Sequence, residues 1–304
     1  MIYTVTLNPA VDCYLGFHEF SEGKLNHAET GYSLPGGKGI NVSKVLKNFG
    51  VSTKALGFLG GFTGDFIKNT LRDEGIECDF VQLSQTTRIN VKINNMGLET
   101  EISGISPEIT ESELKEFMKN FHQVKEGDIL VLSGSVPKSL SPEIYRDIIS
   151  LVPEGVRVIL DGTGEPFKKA LEKGVFLIKP NQHELEAYFG KKFQSMDELI
   201  EAGKELQKQG AENVLISLGG DGSLLITQNN VYQCGVPEGK LISSVGAGDS
   251  MIAGFIYGLS RGESVEEAYR YGVASGSGTA FSTGLVTLEK MEELYKKIGI
   301  GSVK

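Results

Sequence analysis

Residues 128–163 read DILVLSGSVPKSLSPEIYRDIISLVPEGVRVILDGT. Two runs in this stretch, Asp128–Leu132 and Val156–Leu160, are apolar without alternation, as suits strands buried on both faces. Between them Pro142–Leu151 carries a helical pattern. Strand, loop, helix and strand make a βαβ unit, with parallel strands joined by a right-handed crossover. The rhythm continues outward, with strands at Val175–Ile178 and Asn213–Leu218 and helices at Ser112–Phe121 and Met196–Gln209. The expected fold is α/β, a doubly wound and mostly parallel sheet flanked by helices.

The strand ends carry the functional signal. The first strand stops at Asn8-Pro9. Later ones stop at Ser133-Gly134-Ser135, Asp161-Gly162-Thr163, Lys179-Pro180-Asn181 and Ser217-Leu218-Gly219-Gly220. Small and polar groups thus gather at the carboxyl edge of the sheet, where open α/β sheets bind ligands. Five such loops point to one cleft.

Two stretches break the rhythm. Val11–Tyr32 and Thr87–Ser103 show alternation rather than helical period, as in Ile89, Val91 and Ile93, and Asn94-Asn95-Met96-Gly97 supplies a turn. They read as a small inserted β-sheet, a lid over the cleft, at 11–32 and 87–103. The main α/β body then comprises 1–10, 33–86 and 104–304. The alternative is an extended edge of the main sheet.

Composition narrows the function. Of 304 residues, 40% are hydrophobic, enough for a sizeable core, and the net charge of −9 comes without a basic run. Nucleic acid and anionic membranes both need a concentrated basic face, so neither is an expected partner. Cys13, Cys78 and Cys234 are scattered, which fits reduced thiols rather than a disulfide framework or zinc site. MIYTVTLNPAVD reads as a first strand rather than a signal peptide, and no apolar run has membrane-spanning length. The expected location is the cytoplasm.

Two glycine clusters stand at helix starts. Gly36-Gly37-Lys38-Gly39-Ile40-Asn41 precedes a helical pattern at Asn41–Phe49, and Val245-Gly246-Ala247-Gly248-Asp249-Ser250 precedes Met251–Leu259. Glycines there let backbone N–H groups approach an anion at the positive end of a helix. Asp249 falls at or near a helix N-cap, so a capping aspartate and a general base are both open readings. A dinucleotide fingerprint fails because Met251 holds the third glycine position, and no GxxxxGK[ST] occurs. Asn181 and Glu184 lie three residues apart at a helix start, a spacing that can hold a hydrated Mg²⁺. Ser217-Leu218-Gly219-Gly220-Asp221-Gly222 is a turn able to wrap phosphates. His18, His27, His122 and His183 show no metal-ligand spacing.

Taken in order, Thr6–Asp12, Gly36–Asn41, Gly60–Gly64, Lys179-Pro180-Asn181 with Glu184, and Val245–Ser250 resemble the ribokinase-like PfkB carbohydrate kinases over nearly the whole chain. Within that family the opening strand, the Gly-Gly-Lys-Gly loop and Thr87–Lys92 are most similar to the bacterial 1-phosphofructokinase branch. The resemblance implies transfer of the ATP γ-phosphate to fructose 1-phosphate, with Mg²⁺ required and a homodimer through the lid. Related kinases act on tagatose 6-phosphate or fructose 6-phosphate, and a non-catalytic sugar-phosphate sensor is the remote alternative. Carried over by position, Asp249 is the base and Gly246, Ala247 and Gly248 the anion hole. Asp12, Gly37, Lys38, Asn41, Arg88 and Ser135 fall on sugar-phosphate positions, with Lys24 a further candidate cation. Lys179, Asn181, Ser217, Gly219, Gly220, Asp221, Gly222 and Gly248 fall on ATP positions. Glu184 is expected to hold Mg²⁺ through water, and Ala274–Gly278 to line the adenine. Ser103–Pro107 and Asp161-Gly162-Thr163-Gly164 depart from the family pattern, and neither is expected to touch the catalytic turn.

Overall fold

The computed structural model describes residues 1–303. The chain opens with β1 (Ile2–Thr6), β2 (Ala10–Phe17) and β3 (Thr30–Gly36), followed by α1 (Lys38–Asn48). Next come β4 (Lys54–Gly60), α2 (Gly61–Asp73), β5 (Glu77–Leu83), β6 (Arg88–Asn95) and β7 (Leu98–Ile102). The alternation then settles: α3 (Glu111–Met118), β8 (Ile129–Ser133), α4 (Ile144–Leu151), β9 (Arg157–Asp161), α5 (Gly164–Leu171) and β10 (Val175–Ile178). Two helices, α6 (Gln182–Phe189) and α7 (Met196–Lys208), lead to β11 (Ala211–Ser217), β12 (Ser223–Ile226) and β13 (Val231–Cys234). The chain closes with α8 (Ala247–Ser260), α9 (Val265–Ala280), α10 (Leu288–Tyr295) and β14 (Gly301–Val303).

Ten strands form one sheet, in the order β14-β13-β12-β11-β10-β9-β8-β1-β4-β5. It is parallel from β5 to β11, and β12–β14 add an antiparallel edge. The unbroken apolar runs are explained by burial on both sides. Leu130, Leu132, Val158 and Leu160 join a core with α3–α7, whereas Ile129, Val131 and Ile159 join one with α1 and α8–α10. A third cluster packs Ile67 and Leu71 of α2 on Ala55 and Leu59. Each buried side chain of this size contributes about 1.5–3 kcal/mol. The chain leaves β1 in both directions, to β4 on one side and β8 on the other. That reversal opens a crevice beyond the end of β1, the usual ligand position in such sheets.

A second sheet has the order β3-β2-β6-β7 and shares no strand with the first, which removes the extended-edge alternative. It is mixed: β2 runs antiparallel to β3 and parallel to β6. Strand β3 continues to Gly36, past the boundary expected at residue 32, because it stays paired with β2 as far as Ala10. At the β6–β7 turn Met96 and Gly97 both take positive φ, 50° and 90°, as a two-residue hairpin requires.

Two helices start earlier than their apolar periodicity suggested. α1 begins at Lys38 and α8 at Ala247. Glycine and alanine carry no apolar pattern, so first turns built from them are invisible to it.

Candidate active site

The crevice is a cleft of about 380 Å³ bordered by Asp12, Gly37, Lys38, Asn41, Arg88, Ser135, Glu184, Gly246 and Asp249. Strand ends supply Thr6, Asn8 and Ser133–Ser135; the second sheet supplies Asp12, Arg88, Asn90 and Lys92; helix starts supply the rest. The sugar, metal and base candidates therefore converge.

Asp249 is the third residue of α8. It is not the N-cap; Gly246 is, in the left-handed conformation (φ 77°), and no side chain caps the helix. A Cβ on Gly246 would also lie 2.8 Å from Leu285 Cδ2, so the turn tolerates only glycine there. The Ala247 N–H donates to Ser244 O at 3.2 Å and the Ser250 N–H to Gly246 O. The Ala247 N–H is therefore already engaged within the turn. Lys179, 5% exposed, packs beneath: a Cβ on Gly248 would stand 2.9 Å from its Nζ.

Asp249 is 7% exposed, and Asn41 Nδ2 donates to its Oδ2 at 2.7 Å. Burial and the nearby charge of Asp161 push its carboxyl up to about 6, although Asn41, Lys38 and Lys179 pull it back. A base of ordinary acidity held only by good placement was the expectation. The buried surroundings make Asp249 a stronger base as well.

Asp161 is one residue that sequence reasoning missed. It is 1% exposed, accepts from Lys38 Nζ at 2.9 Å and lies 3.8 Å from Lys179 Nζ. Burial raises its carboxyl, but the two lysines outweigh that and hold it below the ordinary aspartate value. Lys38 is likewise held above the usual lysine value, since Asp161 and Glu184 overcome its burial. The departure at Asp161–Gly164 therefore does reach the glycine turn before α8, through charge. Its position as the last residue of β9 was the available signal.

Lys38 sits between Asp161 and Glu184, whose Oε1 is 3.8 Å away. It pairs with these carboxylates at the mouth of α1 while still bordering the cleft. Asn181 is the N-cap of α6 and forms a capping box with Glu184: each side chain accepts the other's backbone N–H at 2.8 Å. The three-residue spacing thus encodes a helix start, and Asn181 spends its side-chain oxygen there. Glu184 keeps Oε1 toward the cleft. Among the described residues no group of three or more His, Cys, Asp or Glu could cage an ion. That donor set fits Mg²⁺ only as phosphate-bound Mg²⁺ commonly sits, on one carboxylate with water and substrate oxygens.

Arg88 donates from Nη1 to Ser103 Oγ and from Nη2 to Asn8 O, at 2.9 and 3.0 Å. Its Nε, Asn8 Oδ1 and Ser133 Oγ are buried without partners beside the cleft. Asn8 Nδ2 donates to Ser135 Oγ at 3.0 Å. Three unmatched polar atoms around one cleft suit an occupant rich in hydroxyl and phosphate oxygens. Asn8, Asn90 and Lys92 were not singled out from sequence, though Asn90 and Lys92 alternate with Arg88 along one strand.

The ATP candidates form a separate group. Ser217 bridges to Asn181 at the end of β11, and Gly219, Gly220 and Asp221 form an exposed turn open to solvent. Gly222 (φ 95°) lies where a Cβ would meet Cys234 O at 2.2 Å. Ala274–Gly278 differs from expectation: it is buried helix, with Ser275 and Gly276 against α8 and Gly278 against Val286. Its small residues serve helix packing.

The chain matches the description "pfkB family carbohydrate kinase" over residues 5–291. It is 48% identical to a 1-phosphofructokinase of Bacillus subtilis over 301 residues, 99% of each chain. It is 39% identical to a D-tagatose-1-phosphate kinase of Bacillus licheniformis, again over 99% of each. Among solved structures, phosphofructokinase-2 from Escherichia coli superposes with a TM-score of 0.92 at 31% identity, over 97% of this chain and 98% of that one. No helix among the described residues is long and apolar enough to cross a membrane. A ribokinase-like sheet with a polar cleft at its switch point, matched over its full length, places the chain in the pfkB family of carbohydrate kinases, as an ATP-dependent sugar kinase.

Proposed function

We propose that this sugar-phosphate kinase transfers the γ-phosphate of ATP to fructose 1-phosphate in the cytoplasm, giving fructose 1,6-bisphosphate. The observation that carries the reading is Asp249: a buried carboxylate raised to about 6, fixed by Asn41, at a glycine turn facing the cleft. Asp249 takes the proton of the sugar hydroxyl as that oxygen bonds to phosphorus and the bond to ADP breaks. The turn at Gly246–Gly248, with Lys38 and Lys179 beneath, balances charge on the phosphoryl oxygens. Glu184 would hold Mg²⁺ through water, and the ion would neutralise phosphate charge when bound. The strands at 11–32 and 87–103 act as a lid excluding water from the transfer, and they join two copies as a homodimer. Gly219–Gly222 wraps the nucleotide phosphates.

The relative named for tagatose 1-phosphate supports a second reading, another ketose 1-phosphate as acceptor. Purified protein assayed for ADP release discriminates them. Fructose 1-phosphate should give the highest kcat/KM among it, fructose 6-phosphate, tagatose 1-phosphate and tagatose 6-phosphate. Preference for any of the others overturns the substrate assignment. Asp249→Asn should lose at least about a hundredfold in kcat with ATP binding retained.

A further inference from the structure

Strand β6 alternates, so Arg88, Asn90 and Lys92 border the cleft. The register sets Asn90 beside Asp12 and Lys92 beside Tyr14. Asp12 lies back over Gly36, where a Cβ would come within 2.5 Å of its carboxylate. Asn90 Nδ2 donates to Asp12 Oδ1 at 2.8 Å, and the amide's orientation is fixed because its Oδ1 accepts the Gly104 N–H. The second oxygen, Oδ2, stands 3.6 Å from Lys92 Nζ.

Lys92 is itself held on several sides. Its ammonium is 3.4 Å from Glu101 Oε1 and 5.3 Å from the centroid of the Tyr14 ring, which stacks on Tyr32. The side chain is 16% exposed, and that of Asp12 14%. A half-buried carboxylate stays aimed at sugar hydroxyls only while a cation and a donor restrain it. Asn90 supplies the donor and Lys92 the cation. Arg88, by contrast, points its bonds to Ser103 and Asn8, away from Asp12.

The geometry points to Lys92 as a positioning residue for sugar recognition that acts through Asp12, an inference resting on the sugar-phosphate kinase reading. Lys92→Met removes the charge and keeps the stem against Tyr14. It should raise KM for the sugar phosphate about tenfold, with kcat and KM for ATP within about twofold. Lys92→Arg should restore most of that loss. In a double-mutant cycle, Asp12→Asn with Lys92→Met should be no worse than Asp12→Asn alone. Additive losses would show Lys92 acting independently of Asp12 and overturn the proposal. So would a Lys92→Met variant that lost kcat together with thermal stability, or one with unchanged KM. The cycle uses whichever sugar phosphate the wild-type enzyme accepts. Its failure with an active wild type leaves the kinase reading standing; a wild type inactive on every sugar phosphate sinks that reading first.

Discussion

At the scale of single residues, the proposed chemistry turns on how Asp249 is surrounded. Its carboxyl is raised to about 6 by burial and by Asp161. With Asp249 in the proposed role of base, kcat/KM should climb with pH through a limb near 6. A limb near 4 would show a solvent-exposed base. The same shift bears on stability. The folded state binds this proton more tightly than the unfolded chain, so ionising Asp249 costs stability as pH rises through 4 to 6. Asp249→Asn should therefore raise the Tm at pH 8, by at most about 3 kcal/mol equivalent, with the gain vanishing near pH 4. A gain that persisted at pH 4 would assign it to packing instead. The glycine turn around Asp249 was legible, because a carboxylate beside two glycines at a helix start is a local pattern. The acidity of Asp249 was not. That depends on Asp161 and Lys179 from two strand ends of the main sheet and on Lys38 from the start of α1, and no local pattern records such a meeting.

At the scale of elements, small residues decide where the turn before Asp249 sits. Helix α8 carries Gly254 where a Cβ would fall 2.2 Å from Ser275 Oγ and 2.4 Å from Tyr271 O of α9. Nearer the site, a Cβ on Gly276 would lie 3.1 Å from Ala247 O, at the turn itself. The backbones of α8 and α9 thus approach too closely for side chains between them. Gly254→Ala must push against a backbone carbonyl, and overpacking of this kind costs about 1–3 kcal/mol. Urea unfolding should show that loss, with kcat falling as the turn shifts. An alanine variant of full stability would mean that the two helices separate easily. Sequence reasoning saw the small residues of Ala274–Gly278 and read them as a ligand wall, since glycine serves close approach to a ligand or to another helix equally well. Helices whose apolar face was regular, such as α7, were legible almost to their ends.

At the scale of the whole molecule, the two-sided core was readable because strands covered on both faces must be apolar throughout. The second sheet was readable only in part. Alternation tells that its faces differ, but not what covers them. In the structure the sheet carries Tyr32 at 55% exposure and Leu34 at 43% on the side of Asp12 and Lys92. A groove of about 780 Å³ runs beneath them, reaching Ile242 and Leu285. Two large apolar side chains left exposed beside the charged part of this face mark a place where a further layer can pack. If a second copy supplies that layer, each lid both roofs its own cleft and braces that of its neighbour. Sedimentation equilibrium should then give twice the monomer mass of 32.9 kDa. Replacing Tyr32→Asp and Leu34→Asp together should yield folded monomers with a raised KM for the sugar phosphate, because an unbraced lid leaves Asp12 and Lys92 less well placed. A wild type that sediments as a monomer, or a double variant that stays dimeric, would move the interface away from the lid. Loss of the dimer with KM unchanged would separate assembly from sugar binding.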